Sequence, residues 1–184
     1  MKIKQIIREQ YPSNKKKLFH YVSNYYYDTI LKTLGENNGW VIKLVKRPFK
    51  KPFIKKVEEE MFKNFIEEAE YYIAFNEENI EIGWICISCQ KWNNTARLWD
   101  IDVNAEYRRK GVGKNLLKFV EERAKEWKSR ALVLECQSSN YPAICFYRKN
   151  GYNLSGIDTI AYSNEDIKRC EVRLELVKLF DYDK

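Results

Sequence analysis

The spacing of apolar and polar positions divides the chain into elements of two periods. Tyr71 to Phe75, Ile80 to Ser88 and Ala96 to Val103 are rich in β-branched and aromatic residues and read as strands. The turn sequences Asn76 to Asn79 and Trp92-Asn93-Asn94-Thr95 separate them. Connections that short predict an antiparallel meander. From Val112 to Trp127 the period becomes helical. Val112, Leu116, Leu117, Val120 and Ala124 form one apolar stripe, while Lys118, Glu121, Glu122 and Lys125 face water. Ala131 to Cys136 is almost wholly apolar, as expected of a strand covered on both faces. Pro142 to Lys149 reads as a short helix, with Pro142 near its first turn and Gly151 at its stop. Asn153 to Tyr162 and Cys170 to Phe180 read as closing strands, the second half-buried through Val172, Leu174, Leu176 and Leu179.

Upstream of residue 70 the pattern is weaker. Val57, Met61, Phe65 and Ala69 share a helical stripe with Phe62 and Ile66 beside it, and Glu58, Glu59 and Glu60 suit a helix start. A helix is therefore predicted over 57–70. The basic run from Lys46 to Lys56 contains Pro48 and Pro52 and reads as a loop. The first forty residues admit two readings. Leu18, Val22, Tyr25 and Tyr26 recur at helical spacing after a cap at Ser13 or Asn14. Alternatively, Tyr27 to Leu34 is a strand, Glu36-Asn37-Asn38-Gly39 a turn and Trp40 to Val45 its partner.

A chain of 184 residues is long enough for one domain with a proper core. The division expected is an N-terminal extension over 1–35, packed on a domain over 36–184. Aromatic residues at 15% argue against disorder. The formal charge of +7 favours an anionic partner: a nucleotide, a nucleic acid or an acidic surface. Lys15-Lys16-Lys17 and the run from Lys46 to Lys56, with abundant Tyr and Trp, keep a nucleic-acid-binding module open as a second reading. The five cysteines, Cys86, Cys89, Cys136, Cys145 and Cys170, are scattered. Cys86 and Cys89 form a lone C-x-x-C inside a predicted strand, where residues three apart face opposite ways. With His20 the only histidine, no metal site is expected. No long apolar span or signal peptide is evident, so a reduced, cytoplasmic setting without membrane contact is expected.

Residues 107–114, Tyr-Arg-Arg-Lys-Gly-Val-Gly-Lys, join a predicted strand to a predicted helix. Gly111 and Gly113 permit close backbone approach. The amides and dipole of the first helical turn favour phosphate, and Arg108, Arg109, Lys110 and Lys114 add positive charge there. A nucleotide-triphosphate loop is excluded because Arg108 replaces its first glycine and Asn115 its Ser/Thr. A dinucleotide fingerprint is excluded because Leu116 stands where its third glycine belongs. Protein-kinase signatures are absent.

Three carboxylates are candidate bases for chemistry near this loop. Asp100 and Asp102 share a strand face unless a bulge intervenes, and Glu135 lies in the apolar run Leu132-Val133-Leu134. Their alternative fate is an ion pair with Arg97, Arg108 or Lys149.

Arg108-x-x-Gly111-x-Gly113 is followed at family spacing by Asn140-x-x-Ala143-x-x-Phe146-Tyr147 and Asn150-Gly151-Tyr152. From Trp40 to Phe180 this order resembles the GNAT superfamily of acyl-CoA-dependent N-acetyltransferases. Trp99 to Val103, Leu134 to Gln137 and Asp158 to Asn164 are similar, more narrowly, to the streptothricin acetyltransferases. The run Lys50 to Lys56 departs from that subgroup, being basic where its members are acidic, and the first 35 residues match it poorly. The resemblance implies an α+β fold, an α/β/α sandwich whose mixed, mainly antiparallel sheet carries a splayed strand pair and helices on both faces. It implies acetyl-CoA as co-substrate. Arg108, Arg109, Lys110, Gly111, Val112, Gly113 and Lys114 would surround its diphosphate. The backbone of Ile101 and Val103 would meet the pantetheine arm and thioester. Asn140, Ala143, Phe146 and Tyr147 would complete the donor site, with Tyr147 protonating the departing thiolate. Asp158 and Tyr162 would face the acceptor. The activity implied is acetyl transfer to a primary amine of a small molecule, a streptothricin-like antibiotic among them, or to a protein or peptide amino group. A homodimer through exposed terminal strands is also expected.

Overall fold

Short turns after Phe75 and Gln90 bring successive strands back beside one another, as the alternation demands. The computed structural model describes residues 1–12, 15–36 and 38–181. Its strands are β1 (Lys2–Ile6), β2 (Lys16–Thr33), β3 (Trp40–Glu60), β4 (Glu70–Phe75), β5 (Glu81–Gln90), β6 (Thr95–Val103), β7 (Ala131–Gln137), β8 (Asn153–Asp158) and β9 (Arg173–Leu179). Its helices are α1 (Val112–Glu126), α2 (Tyr141–Lys149) and α3 (Asp166–Arg169). One sheet has the order β1-β4-β5-β6-β7-β9-β8, and β2 and β3 form a separate two-stranded ribbon. The sheet is mixed: β1, β4, β5 and β6 pair antiparallel, whereas β6 and β7 run parallel.

The chain divides into two compact units. The first comprises Met1–Phe19, Glu58–Leu134 and Val177–Lys184. Here β5 is the central strand, and its two faces differ. Gly83 lies so close to α1 that an added Cβ would stand 2.8 Å from Leu116 Cδ1. On that face the stripe Val112, Leu116, Leu117, Val120 and Ala124 is buried as the sequence predicts. The other face carries Tyr71, Ile73, Trp84 and Cys86, which form a core cluster with Ile6, Met61, Phe62 and Ile66. Phe62 packs edge-on against both Tyr71 and Trp84.

The cluster corrects the helix predicted over 57–70. β3 continues to Glu60, and irregular turns follow until β4. Met61, Phe62 and Ile66 are buried, but Phe65, on the predicted stripe, is 72% exposed. Glu68 adopts a left-handed φ of 50°, incompatible with a continuing helix. Burial of three apolar side chains decided this segment, and intrinsic helix preference did not.

The second unit comprises His20–Val57 and Glu135–Leu176. The hairpin reading of the N-terminal region is the observed one, closed by Leu34 N–H donating to Gly39 O at 2.9 Å. The caps expected at Ser13 or Asn14 lie outside the described residues, as does Asn37 of the turn. The run from Lys46 to Lys56 belongs to β3 and is not a loop. A two-stranded ribbon leaves each strand one unpaired edge, so Pro48 and Pro52 are tolerated. Phe49 and Phe53 share a face and stack with centroids 5.1 Å apart, and Tyr26 and Tyr21 pack on them from β2. Ser138, fully buried after β7, fastens several segments. Its N–H donates to Val172 O, its hydroxyl donates to Cys170 O, and its carbonyl accepts from Tyr27 N–H. The closing strands are shorter than predicted. β8 ends at Asp158, whose carboxylate accepts from Ile160 N–H and starts a turn; β9 begins at Arg173.

Candidate active site

The segment between β6 and α1 has the backbone its glycines predict. Gly111 is the N-cap of α1, with φ 84° and ψ −10°, a left-handed conformation that strongly favours glycine. Arg109 is also left-handed, with φ 60°. Left-handed residues so close together curl the chain into a concave turn that gathers N–H groups. No side-chain hydrogen bond caps α1 at Gly111, so the first-turn amides stay available to an anion. Arg109, Lys110 and Lys114 are exposed around the turn, Val112 is buried beneath it, and Gly113 is half-buried. Arg108 points elsewhere: its Nε donates to Val103 O at 2.8 Å and its guanidinium meets Asp102 at 3.2 Å. These features fit the diphosphate of acetyl-CoA: a curled backbone, open helix-start amides and a cationic rim.

β6 is irregular at two places. Asp100 pairs with Cys86 and Leu98 with Ile87, so Trp99 is an extra residue forming a bulge. Directly paired residues share a face. Leu98 therefore lies on the side of Ile87, Ile101 and Val103, whereas Asp100 and Asp102 lie with Cys86 and Trp84. The two acids share a face, and the bulge has turned both to the side opposite Leu98. Trp99 is held by donation of Nε1–H to Ser88 Oγ at 2.9 Å and by the Arg97 guanidinium over its ring. Pairing with β7 extends from Thr95–Ala131 to Leu98–Leu134, while β6 itself continues to Val103.

Each acid on this face has a cation. Asp100, 9% exposed, accepts from Lys63 Nζ at 2.9 Å, and Lys63 also meets Glu59 at 3.1 Å. Lys63 keeps a pKa above the ordinary lysine value: burial lowers it, but Asp100 and Glu59 more than offset that. Asp102 has its pKa raised by burial, against the opposing pull of Arg108 and Lys17. The sequence suggested Arg108 as an ion-pair partner and missed Lys63. Loss of Lys63 would strand a buried carboxylate. Lys63→Ala is therefore expected to destabilise the protein by about 3 kcal/mol in urea unfolding. Adding Asp100→Asn should recover part of that loss.

The second unit carries the remaining candidates. Glu135 is exposed on β7; its carboxylate accepts from the Tyr162 hydroxyl and meets Arg173 at 3.2 Å. Burial, and then this bond to Glu135, raise the Tyr162 pKa. Tyr162 N–H donates to Asp166, 1% exposed, which also accepts from Ser163 Oγ. Asp166 and Arg173 were missed from the sequence. The spacing Ser163-x-x-Asp166 carried a signal for the first; Arg173 is distant in sequence from Glu135 and carried none. Asp158 is exposed and occupied with its own turn. Asn140 caps α2, its side-chain oxygen accepting from Ala143 N–H at 3.2 Å. Tyr147 is 7% exposed, its ring flanked by Phe146 and Tyr152 at centroid distances of 5.3 and 5.8 Å. Ala143 and Phe146 are half-buried on the same helix. Burial raises the pKa of the Cys86 and Cys136 thiols, consistent with packing roles. Among the described residues, no cluster of His, Cys, Asp or Glu suits a metal ion, and no helix is long and apolar enough to cross a membrane.

Comparison with known proteins shows the family and the fold. Residues 41–152 match the model of the acetyltransferase (GNAT) family. Streptothricin acetyltransferase A of Bacillus subtilis (strain 168) is 38% identical over 135 residues, covering 70% of this chain and 74% of that protein. A Bacillus anthracis str. Ames protein assigned as a streptothricin acetyltransferase, crystallised with acetyl coenzyme A, superposes with a TM-score of 0.72 at 26% identity, covering 97% of this chain and 98% of that one. A nourseothricin acetyltransferase superposes with a TM-score of 0.69 at 23% identity over 97% of both chains, a likeness of fold.

Proposed function

Because the chain belongs to the GNAT acetyltransferase family, and so is an acetyl-CoA-dependent acetyltransferase, we propose that it acetylates a primary amine of a small cationic molecule of the streptothricin type, by direct attack of that amine on the thioester. The paired acids beyond the end of the β6–β7 pairing are the observation that supports this most: Asp100 and Asp102 share one strand face, and burial leaves Asp102 a stronger base there for an acceptor ammonium. Acetyl-CoA, when bound, supplies an acyl carbon activated by its thioester.

The other roles follow from the chain's own groups. The amides around Gly111, Val112 and Gly113 hold the diphosphate, with Arg109, Lys110 and Lys114 supplying field. Arg108 steadies the end of β6. The backbone of Ile101 and Val103 orients the pantetheine arm and polarises the carbonyl. Asp102 takes the proton from the acceptor ammonium. Its raised pKa makes it a better base than an ordinary aspartate, whereas Asp100 is locked to Lys63. Tyr147 returns a proton to the sulfur, and Asn140 fixes the start of its helix. Glu135 and Tyr162, held as a pair, and Asp158 bind the acceptor.

Thiol release from acetyl-CoA, measured against streptothricin, a polyamine and a lysine-containing peptide, tests the proposal. The highest kcat/KM is expected with streptothricin. Release with the peptide alone would replace the small-molecule acceptor by a protein one.

A further inference from the structure

One lysine beside the Asp100–Asp102 face is set apart by its surroundings. Lys17, on β2, is half-buried, and its ammonium lies 4.8 Å from the centroid of the Trp84 ring. Trp84 is the direct cross-strand partner of Asp102. Lys17 therefore sits over the same side of the sheet from which both acids emerge, within one compact unit. Asp100 and Asp102 already have cations in Lys63 and Arg108, so Lys17 adds a further amine at the place proposed for the acceptor.

We propose that Lys17 is an internal acetyl acceptor: when no external amine is present, its side-chain nitrogen takes the acetyl group and becomes Nε-acetyl-lysine. The proposal rests on the assignment of the thioester to β6 near Ile101 and Val103. The step balances without a further reactant. The neutral nitrogen attacks the carbonyl carbon, a C–N bond forms and the C–S bond breaks. The sulfur leaves as thiolate and acquires the proton that nitrogen sheds, giving an amide and the free thiol of coenzyme A. Nothing is oxidised or reduced.

The charge state of Lys17 suits it to this role. Burial brings its pKa down to about 8. Glu81 on β5 and Asp100 and Asp102 on β6 pull the other way, and Lys15, just before β2, reinforces the lowering. At pH 7.5 about a quarter of such an amine is neutral, against ~0.1% of an ordinary lysine. Lys46, Lys63 and Lys91, by contrast, are held above the usual lysine value. Acetylation would remove the cation over Trp84 and fill that face with an amide, so enzyme kept with donor alone would lose capacity for external amines.

The test incubates the protein with acetyl-CoA alone, at pH values on either side of 8, and maps acetylation by peptide mass spectrometry. The Lys17 peptide is expected to gain one acetyl group at least about tenfold faster than any other lysine peptide, following its larger neutral fraction. The first-order rate should not depend on protein concentration, should rise with pH and level off above about 8, and should fall when streptothricin is in excess. Lys17→Arg should lose this label and still bind coenzyme A by calorimetry. An unmodified Lys17 in a preparation that acetylates streptothricin would overturn the inference, as would equal labelling of the exposed Lys110 and Lys118. Labelling of Lys17 without transfer to streptothricin would uphold it and reject the small-molecule acceptor. Coenzyme binding with neither label nor transfer would reject both.

Discussion

Gly111→Asp is expected to lower affinity for acetyl-CoA by at least about a hundredfold, which isothermal titration calorimetry with coenzyme A would detect as loss of measurable binding. Two effects combine. Gly111 has a φ of 84°, where a Cβ costs roughly 1–2 kcal/mol. The added carboxylate also sits at the first amides of α1 and repels the diphosphate those amides are proposed to hold, and each ~1.4 kcal/mol of such repulsion removes a further factor of ten. An ideal Cβ on Gly111 meets nothing within 4 Å, so crowding is not the cause and the fold should survive. Gly111→Ala separates the terms: it carries the backbone strain without the charge and should bind more tightly than Gly111→Asp. Retained affinity in Gly111→Asp would mean that the donor binds elsewhere.

Tyr147→Phe is expected to lower kcat by about a hundredfold or more, within the range for loss of a positioned proton donor, while the coenzyme dissociation constant changes little. The ring is buried between Phe146 and Tyr152, and phenylalanine preserves its volume. The substitution therefore removes the hydroxyl and leaves the packing. Stopped-flow thiol release, with a parallel urea titration, distinguishes lost chemistry from lost stability. An unchanged rate would remove Tyr147 from the mechanism.

The parts of this molecule that could be read from its sequence are those specified by near neighbours along the chain. The meander from β4 to β6 and the buried stripe of α1 follow from alternation and from the helical repeat, and both are observed. The turn at Gly111 follows from two glycines between a strand and a helix. Over 57–70 the apolar spacing showed that Met61, Phe62 and Ile66 are buried but not the backbone that buries them, because a compact turn can present the same side chains. Over 46–56 the prolines signalled a break that an unpaired strand edge makes unnecessary. The site shows the same contrast. The phosphate turn is local and was legible. Lys17, Lys63 and Arg173 were not, because each gains its meaning from residues distant along the chain, in a sequence with 33 lysines and arginines.

The additional residue in β6 makes the strand sensitive to length as well as to composition. Because Trp99 has no counterpart on β5, one codon inserted in frame between those of Cys86 and Ile87 would give it one, restore an even alternation and rotate one half of each strand against the other. Either the two aspartates would be driven beneath α1, or Ala96 and Leu98 would be expelled from beneath it. Such an insertion would remove none of the carboxylates and still silence the enzyme.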